Sequence, residues 1–122
     1  MFFLVLRALT ELVRVGAYIS RGDFSPLYER VRNSPVRTNC RQSCETVCRA
    51  MNMACIWYWR QARCLQRSAA TTCLLRRCGT PAQMVIGTQR MPFKAHAWVE
   101  VEGKVVNDKP HVKDAYMVLD RC

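Results

Sequence analysis

Apolar residues recur at helical spacing over the N-terminal part of the chain, and the first such segment covers residues 1–21. One polar stripe of this segment is formed by Arg7, Glu11, Arg14, Tyr18 and Arg21. Its other faces carry Phe2, Leu6, Leu9, Val13 and Ala17. This pattern predicts an amphipathic helix that docks on the protein core or on a partner.

The helical pattern continues in three further segments. Ser25 and Pro26 are typical of an N-cap and a first helical position, so a short helix should extend to about Arg32. The next predicted helix covers about residues 39–59. The last one starts near Cys64 and ends with two arginines before a glycine and a proline, which together are a stop signal.

From Gln83 onward, apolar and polar residues alternate with the period of two that β-strands show. The predicted strands are Met84–Ile86, Phe93–Val101, Lys104–Asn107 and Tyr116–Leu119. A Glu-Gly dipeptide marks a hairpin turn between the second and the third. Helices followed by a small antiparallel sheet are the order of an α+β fold. A chain of 122 residues suffices for a single domain with one core.

The net charge of +10 is concentrated in the N-terminal part of the chain. Residues 1–90 contain 14 Arg and four acidic residues, which gives +10, whereas residues 91–122 contain five basic and five acidic residues, which gives zero. Such a basic half could face nucleic acid, an anionic membrane or an acidic polypeptide, or it could be an ordinary solvated surface. Half of the residues are apolar, which is typical of a globular protein.

The opening residues Met1–Leu6 are apolar, but charged residues soon interrupt the run, and no span of about 18 apolar residues exists. We therefore expect neither a cleavable leader nor a transmembrane segment, and we expect reduced thiols in the cytoplasm for the eight cysteines. One face of a predicted helix carries Cys40, Cys44 and Cys48, with Cys55 beyond them. Their spacing fits neither structural zinc nor common cluster motifs, so we expect packing and no metal.

Cys64 is the strongest candidate nucleophile among the cysteines. It lies at the predicted start of a helix, where unpaired amide groups and the helix dipole favour a thiolate. Arg60, Arg63 and Arg67 add positive charge around it. A lone cysteine is more often a buried structural residue, so this assignment requires a base nearby.

A histidine and an aspartate complete a candidate triad. His96 and Trp98 alternate along one predicted strand and therefore share a face. A three-residue hairpin loop at residues 102–104 would pair Trp98 with Asp108, which would place Asp108 diagonally beside His96. Such a set would perform acyl transfer: the sulfur attacks, the imidazole moves the proton, and the carboxylate orients the imidazole.

Several ordered blocks of the sequence resemble a known family. They are Cys64–Ser68, Leu74–Gly79, Val85–Gly87, Pro92–Val101 and Val105–Asp108. At family spacing, they resemble the leader peptidases of lasso-peptide biosynthesis. The similarity spans about residues 36–121, with residues 1–33 as N-terminal helices. The chain departs from the family pattern at Gln66, where many relatives carry proline.

The resemblance implies a transglutaminase-like, papain-related fold in which Cys64, His96 and Asp108 form the catalytic triad, without a cofactor. Members of this family remove the leader from a ribosomally made precursor peptide. Two partners are also implied: a small PqqD-like leader-recognition protein, and an asparagine-synthetase-like, ATP-dependent cyclase that closes the lactam ring. No region of the chain resembles the recognition domain, so it looks like the stand-alone peptidase of a split system.

Some residues are predicted to dock the substrate or a partner: Trp98, Arg67, Arg7, Arg14 and Arg21. The basic N-terminal half would then bind the recognition protein or an acidic leader. Two other function classes remain open, a catalytically inactive transglutaminase-like module that grips a peptide and a nucleic-acid binder. The excess charge falls on predicted helices without a recognisable motif for reading nucleic acid, so we do not expect nucleic acid as a partner.

Overall fold

The computed structural model describes residues 2–22, 24–37, 41–90 and 92–122. Within these ranges, the helices that come first are α1 Phe2–Ser20, α2 Ser25–Asn33, α3 Cys44–Trp57 and α4 Cys64–Arg77. They are followed by β1 Ala82–Gln89, β2 Lys94–Val101, β3 Lys104–Val105, α5 Val112–Ala115 and β4 Met117–Arg121. The strands form an antiparallel sheet in the order β3-β2-β1-β4. The predicted α+β order is confirmed, and the short helix α5 is an addition to it.

Local capping determines where two of the helices begin. In α3, the Oγ of Ser43 accepts a hydrogen bond from a backbone amide one turn later at 3.1 Å, so the helix starts at the next residue. The predicted start near residue 39 lies outside the described residues. Helix α2 has Pro26 in its first turn, as predicted. Phe24 and not Ser25 occupies its N-cap position, so the predicted cap is wrong.

Helix α1 docks on the core through a face that differs from the predicted one. Its buried residues are Leu4, Ala8, Glu11, Leu12 and Val15. Except for the half-buried Leu9, the apolar residues assigned to its other faces are exposed, namely Phe2, Leu6, Val13 and Ala17. The prediction of a helix docked on the core is correct, but the assignment of its faces is wrong. No helix in the described part of the chain, α1 included, is long and apolar enough to cross a membrane.

Glu11, which was assigned to the polar stripe of α1, lies on the buried face of this helix. Its carboxylate lies 3.6 Å from Arg14, 3.4 Å from Arg30 and 3.4 Å from Arg77. These arginines belong to α1, α2 and α4, so one buried anion connects three helices. A carboxylate can be buried here because several cations surround it at once.

The hydrophobic core lies between the helices and one face of the sheet. Leu12 of α1 and Leu74 of α4 are fully buried there, together with Met84 and Val99 of the sheet. Side chains alternate between the two faces of a strand, so Trp98 lies on the opposite face, where it is also fully buried. Both faces of the central strands are therefore covered.

A two-residue turn joins β2 to β3, because Val101 pairs with Lys104. Glu102 and Gly103 have φ angles of 52° and 78°, and positive φ at both positions is what the type I′ turn of a two-residue hairpin requires. The predicted three-residue loop is wrong. The predicted cross-strand pairing of Trp98 with Asp108 is therefore also wrong.

Arg76 joins the end of α4 to three other parts of the fold. Its guanidinium donates to the carbonyl oxygens of Ala82 at 2.9 Å, of Cys122 at 2.7 Å and of Val31. The side chain is almost completely buried, and this burial lowers the pKa of Arg76 below its usual value. One arginine therefore satisfies carbonyl groups of α2, β1 and the C-terminal residue.

Replacing Arg76 with Met, which is unbranched and has no donor, should remove three hydrogen bonds to main-chain oxygens, although those of Val31 and Cys122 each keep a backbone amide donor. At about 1 kcal/mol for each of these bonds, the free energy of unfolding should fall by about 3 kcal/mol. Urea unfolding measures this loss. Arg49→Met is the matched control, because Arg49 pairs with the exposed Glu45 and should contribute less than about 1 kcal/mol. Equal stability of the two variants would contradict the role given to Arg76.

Candidate active site

Pairing between β2 and β3 stops early, and Asn107 is the reason. The amide of Val106 donates to the carbonyl of Val99 at 3.0 Å. In a continued antiparallel ladder, the amide of Val99 would donate back to Val106. It donates instead to the side-chain oxygen of Asn107 at 2.8 Å. The backbone is thereby released from the ladder, and residues 106–108 form a bend.

Helix α4 occupies the edge of β2 that this bend leaves open. The hydroxyl of Ser68 donates to the carbonyl of Ala97 at 3.1 Å and accepts a bond from the Nδ2 of Asn107 at 3.2 Å. Helix, strand and loop are therefore joined in one hydrogen-bond network. Neither Ser68 nor Asn107 was a sequence candidate. The available signal was their position, because Ser68 follows Cys64 by one helical turn and Asn107 immediately precedes Asp108.

The same bend brings Asp108 to the face of His96. The Nε2 of His96 lies 2.6 Å from the Oδ2 of Asp108. The other carboxylate oxygen accepts a hydrogen bond from the amide of Lys109 at 2.7 Å. The two-residue turn alone would set Asp108 opposite Ala97, on the wrong face. The expected contact with His96 is present because the chain leaves the ladder first.

The electrostatics of this pair determine the tautomer of His96. Burial by itself raises the pKa of Asp108, but hydrogen bonds from His96 and from the Lys109 amide bring that pKa below its usual value. Asp108 is therefore a carboxylate near neutral pH, and a carboxylate can only accept hydrogen bonds. The Nε2 of His96 must then carry its proton, which leaves the lone pair of Nδ1 available.

Aromatic rings support His96 on the outer face of the sheet. The centroid of its ring lies 6.0 Å from that of Trp98 and 5.4 Å from that of Tyr116, a residue that sequence reasoning did not select. A Cβ on Gly87 would lie 2.8 Å from Trp98 and 2.9 Å from Tyr116, so glycine is needed where these rings cross β1. Trp98 is fully buried. It therefore supports His96 and does not offer the docking surface that was predicted for it.

Glu100 holds Trp98 in this orientation. It accepts hydrogen bonds from the Nε1 of Trp98 at 2.8 Å and from Arg121 of β4 at 2.7 Å. Burial raises the pKa of Glu100, but the bonds from Arg121 and Trp98 bring it below its usual value. A buried, ionised carboxylate thus connects the ring beneath His96 to the edge strand.

Cys64 is the first residue of α4 and is half-buried. The preceding residue, Arg63, occupies the N-cap position with extended backbone and makes no side-chain capping bond. The amides of the first helical turn are therefore not capped by that side chain. The predicted position of Cys64 at the start of a helix is confirmed.

Helix α4 runs beside β2 in the same direction. Ser68 bonds to Ala97, and Arg76, eight residues later, bonds to the strand residue that pairs with Val101. Eight helical residues span about 12 Å and four strand residues span about 13 Å, so the helix and the strand advance by nearly the same length between the two contacts. Cys64 precedes Ser68 by about 6 Å along the helix axis. It is therefore level with the residues that precede Ala97 in β2.

Comparison with known proteins identifies the family. A profile of the transglutaminase-like superfamily matches residues 7–121, which is nearly the whole chain. The chain belongs to the transglutaminase-like superfamily. No solved structure matches it.

This transglutaminase-like chain is also similar to the microcin J25-processing protein McjB of Escherichia coli, with 41% identity over 56 residues. The aligned segment covers 46% of this chain and 27% of the E. coli protein. The similarity is therefore to about a quarter of that protein's length.

Arg67 connects the site of the transglutaminase-like domain to α3. Its guanidinium donates to the side-chain oxygen of Asn52 in α3, and the residue is half-buried. Its charge is also one of the influences that lower the pKa of Asp108. These contacts give Arg67 a structural function beside the site, and its docking function stays a prediction.

Two of the predicted docking residues of α1 line a cavity. Arg14 and Arg21 line a cavity of about 290 Å³ together with Arg30 of α2. Arg7 is exposed on the same helix, two turns before Arg14. A docking function for these residues stays a prediction. Part of the charge is already balanced within the protein, because Arg14 and Arg30 both pair with Glu11.

Two cysteines of α3, Cys48 and Cys55, are unsuited to nucleophilic chemistry. Burial, together with the neighbouring Cys44, raises the pKa of Cys48 to about 12, and burial also raises the pKa of Cys55. Such thiols stay protonated at neutral pH. Cys40 lies outside the described residues. Within the described ranges, no three His, Cys, Asp or Glu residues are grouped so that they could hold a metal ion.

Replacing Asn107 with Ala should lower the free energy of unfolding by about 2 kcal/mol, because the amide of Val99 and the hydroxyl of Ser68 each lose a partner. Asn107→Asp keeps the oxygen that accepts from Val99 and loses the donor to Ser68, so its loss should be about 1 kcal/mol. Urea unfolding measures both values. Asn33→Ala, at an exposed position, is the control. An unchanged unfolding midpoint for Asn107→Ala would reject the proposed cause of the bend.

Proposed function

We propose that this protein is a cysteine peptidase that removes the leader from a lasso-peptide precursor, with Cys64 as nucleophile, His96 as base and Asp108 as the residue that orients the base. Membership of the transglutaminase-like superfamily and similarity to a microcin-processing protein support the proposal. The observation that carries it is the 2.6 Å contact between His96 and Asp108, beside the strand edge that α4 approaches.

Two features favour a contact between Cys64 and His96. Ser68, one turn after Cys64 on the same helical face, is bonded to the carbonyl of Ala97, the residue that follows His96. Because α4 and β2 advance by similar lengths in the same direction, Cys64 is expected to lie level with this part of the strand. With Nε2 of His96 bound to Asp108, its Nδ1 is the nitrogen left to accept the proton of the thiol.

In the proposed acylation step, Nδ1 of His96 takes the thiol proton, and the sulfur of Cys64 attacks the carbonyl carbon of the scissile peptide bond. The carbonyl oxygen becomes an oxyanion, to which the amide of Cys64 at the helix start would donate. Asp108 stabilises the imidazolium that forms. Collapse of the tetrahedral intermediate breaks the C–N bond, and the imidazolium returns its proton to the leaving amine.

In the proposed deacylation step, the leader remains bound to Cys64 as a thioester. Neutral His96 removes a proton from a water molecule, and the resulting hydroxide attacks the thioester carbonyl. The C–S bond breaks and the proton passes to the sulfur, so that Cys64 is regenerated and the leader leaves with a free carboxylate. No cofactor is needed for either step.

We also propose that the protein acts in the cytoplasm together with a separate leader-recognition protein and an ATP-dependent cyclase. The resemblance of residues 36–121 to the leader peptidases of lasso-peptide biosynthesis supports these partners. Cytoplasmic conditions would keep Cys64 reduced, as a thiol nucleophile requires. The basic cavity that Arg14, Arg21 and Arg30 line is a candidate docking site for the recognition protein.

Cys64 should react with iodoacetamide at neutral pH at least about tenfold faster than Cys48. Cys48 is the matched control, because it is also half-buried and burial raises its pKa to about 12. Timed alkylation followed by mass spectrometry of the tryptic peptides measures both rates. Equal rates would favour the alternative function, an inactive transglutaminase-like module that only binds peptide.

Leader removal should depend on the triad in a graded way. Cys64→Ala should abolish cleavage of the precursor, and Asp108→Asn should lower kcat by about 10⁴-fold, because the amide no longer holds His96 in the required tautomer. The assay contains the precursor and the recognition protein, and follows the products by mass spectrometry.

Two variants serve as controls for this assay. Cys48→Ala and Asp114→Asn remove the same chemical groups from α3 and from the exposed face of α5, and both should cleave at the wild-type rate. Circular dichroism should show that all four variants are folded. Cleavage by Cys64→Ala would reject the mechanism, and full activity of Asp108→Asn would reject the role of Asp108.

A further inference from the structure

A groove beside the start of α4 has no function in the proposed mechanism. It has a volume of about 470 Å³ and lies between the end of α1, the residue before α2, and the connection from α3 to α4. Its apolar lining comes from Ile19, Phe24 and Leu65, and its cations are Arg60 and Arg63. It is therefore an apolar groove with positive charge at one side.

The groove is adjacent to Cys64 in the chain. Arg63 and Leu65, the residues on either side of Cys64, both line it. Consecutive Cα atoms are about 3.8 Å apart, so the groove begins within one residue of the proposed nucleophile. A polypeptide with its scissile carbonyl at Cys64 would therefore reach the groove with the residues next to that carbonyl.

The floor of the groove is built from fixed polar contacts. The Nε2 of Gln66 donates to the carbonyl of Leu12 at 2.9 Å and to the hydroxyl of Tyr58 at 3.0 Å. A Cβ on Gly16 would lie 2.9 Å from Gln66 and 3.0 Å from Tyr58, so a glycine is needed for α1 to approach this closely. The groove is therefore preformed by the packing of α1 against α4.

Charge and exposed aromatic surface indicate what the groove binds. None of the described residues that line it carries a carboxylate, so the charge of Arg60 and Arg63 is not balanced within its walls. Next to it, Trp59 is 70% exposed, and its ring lies 4.6 Å from that of Tyr58 in the groove lining. Trp57 is 72% exposed. Large exposed apolar side chains concentrated in one segment mark an interaction surface.

We propose that this groove is a subsite for the substrate polypeptide, and that it binds a segment beside the scissile bond that carries a large apolar side chain and a carboxylate. The proposal rests on the peptidase function proposed above. The apolar side chain would enter between Ile19, Phe24 and Leu65 and displace water from them. The carboxylate would pair with Arg60 or Arg63, which gives the site its preference for acidic sequences.

Binding can be measured without cleavage in a Cys64→Ala background. The probe is a fluorescein-labelled synthetic peptide in which a leucine is flanked by glutamates in a glycine-serine background, and the readout is fluorescence anisotropy. Ser20 lines the groove, so Ser20→Trp should fill it and raise the Kd about tenfold or more.

Thr10→Trp is the matched control for the filled groove. Thr10 and Ser20 are both exposed on α1, and each donates its hydroxyl to the carbonyl four residues earlier. Thr10 is not among the residues that line the groove. Its replacement should therefore leave the Kd unchanged, and an equal loss in both variants would overturn the subsite.

A charge exchange tests the acidic preference. Arg60→Glu should raise the Kd of the glutamate peptide about tenfold, and it should lower the Kd of a matched peptide in which lysine replaces glutamate. Such a reversal cannot come from a loss of structure, because a damaged groove would bind both peptides less. If Arg60→Glu neither raises the Kd of the glutamate peptide nor lowers the Kd of the lysine peptide, the proposed charge recognition is wrong.

The subsite and the peptidase function can fail separately. Loss of peptide binding in Ser20→Trp, with the alkylation rate of Cys64 unchanged in the same variant, supports the subsite. Peptide binding that depends on the groove in a protein that never cleaves the precursor would keep the subsite and reject the peptidase. Cleavage at the wild-type rate by Ser20→Trp and by Arg60→Glu would keep the peptidase and reject the subsite.

Discussion

The hydrogen bond between the amide of Val99 and the side chain of Asn107 determines how a helix, a strand and a loop meet in this protein. If the ladder continued, Asp108 would lie opposite Ala97 and its side chain would point to the wrong face of the sheet. The edge of β2 would also be covered by β3, and α4 could not reach it. A single side chain that replaces a backbone acceptor therefore ends a strand, opens an edge and turns a carboxylate toward His96.

Buried ions hold the elements around this junction in place. Glu11 is surrounded by arginines of three helices. Arg76 donates to main-chain oxygens of three chain segments. Glu100 accepts hydrogen bonds from the indole of Trp98 and the guanidinium of Arg121. A buried ion needs several partners at once, so each of these groups fixes several elements relative to one another. Glu100 has the most direct connection to the site, because it orients Trp98 beneath His96. Contacts that stabilise the core thus also orient the candidate base.

Helices, strands and the position of Cys64 at a helix start could be predicted because periodicity and the start and stop signals of helices are local properties. The hairpin register could not, since it depends on a positive φ at Glu102, a conformation that glutamate rarely adopts. The bend could not either, because the position of Asn107 before Asp108 does not reveal that its side chain replaces a backbone acceptor. The buried face of α1 was missed because Glu11 is buried only when arginines of other helices surround it.

Helix α1 carries none of the proposed catalytic residues, yet it contacts the turn that holds one of them. Gln66, in the first turn of α4, donates to the carbonyl of Leu12 in α1. The side-chain amide of Gln66 therefore ties α1 to the first turn of α4. The walls of the groove and the amides around Cys64 are therefore parts of one packed unit. A displacement of α1 would change both, because close-packed protein interiors transmit strain between neighbouring groups.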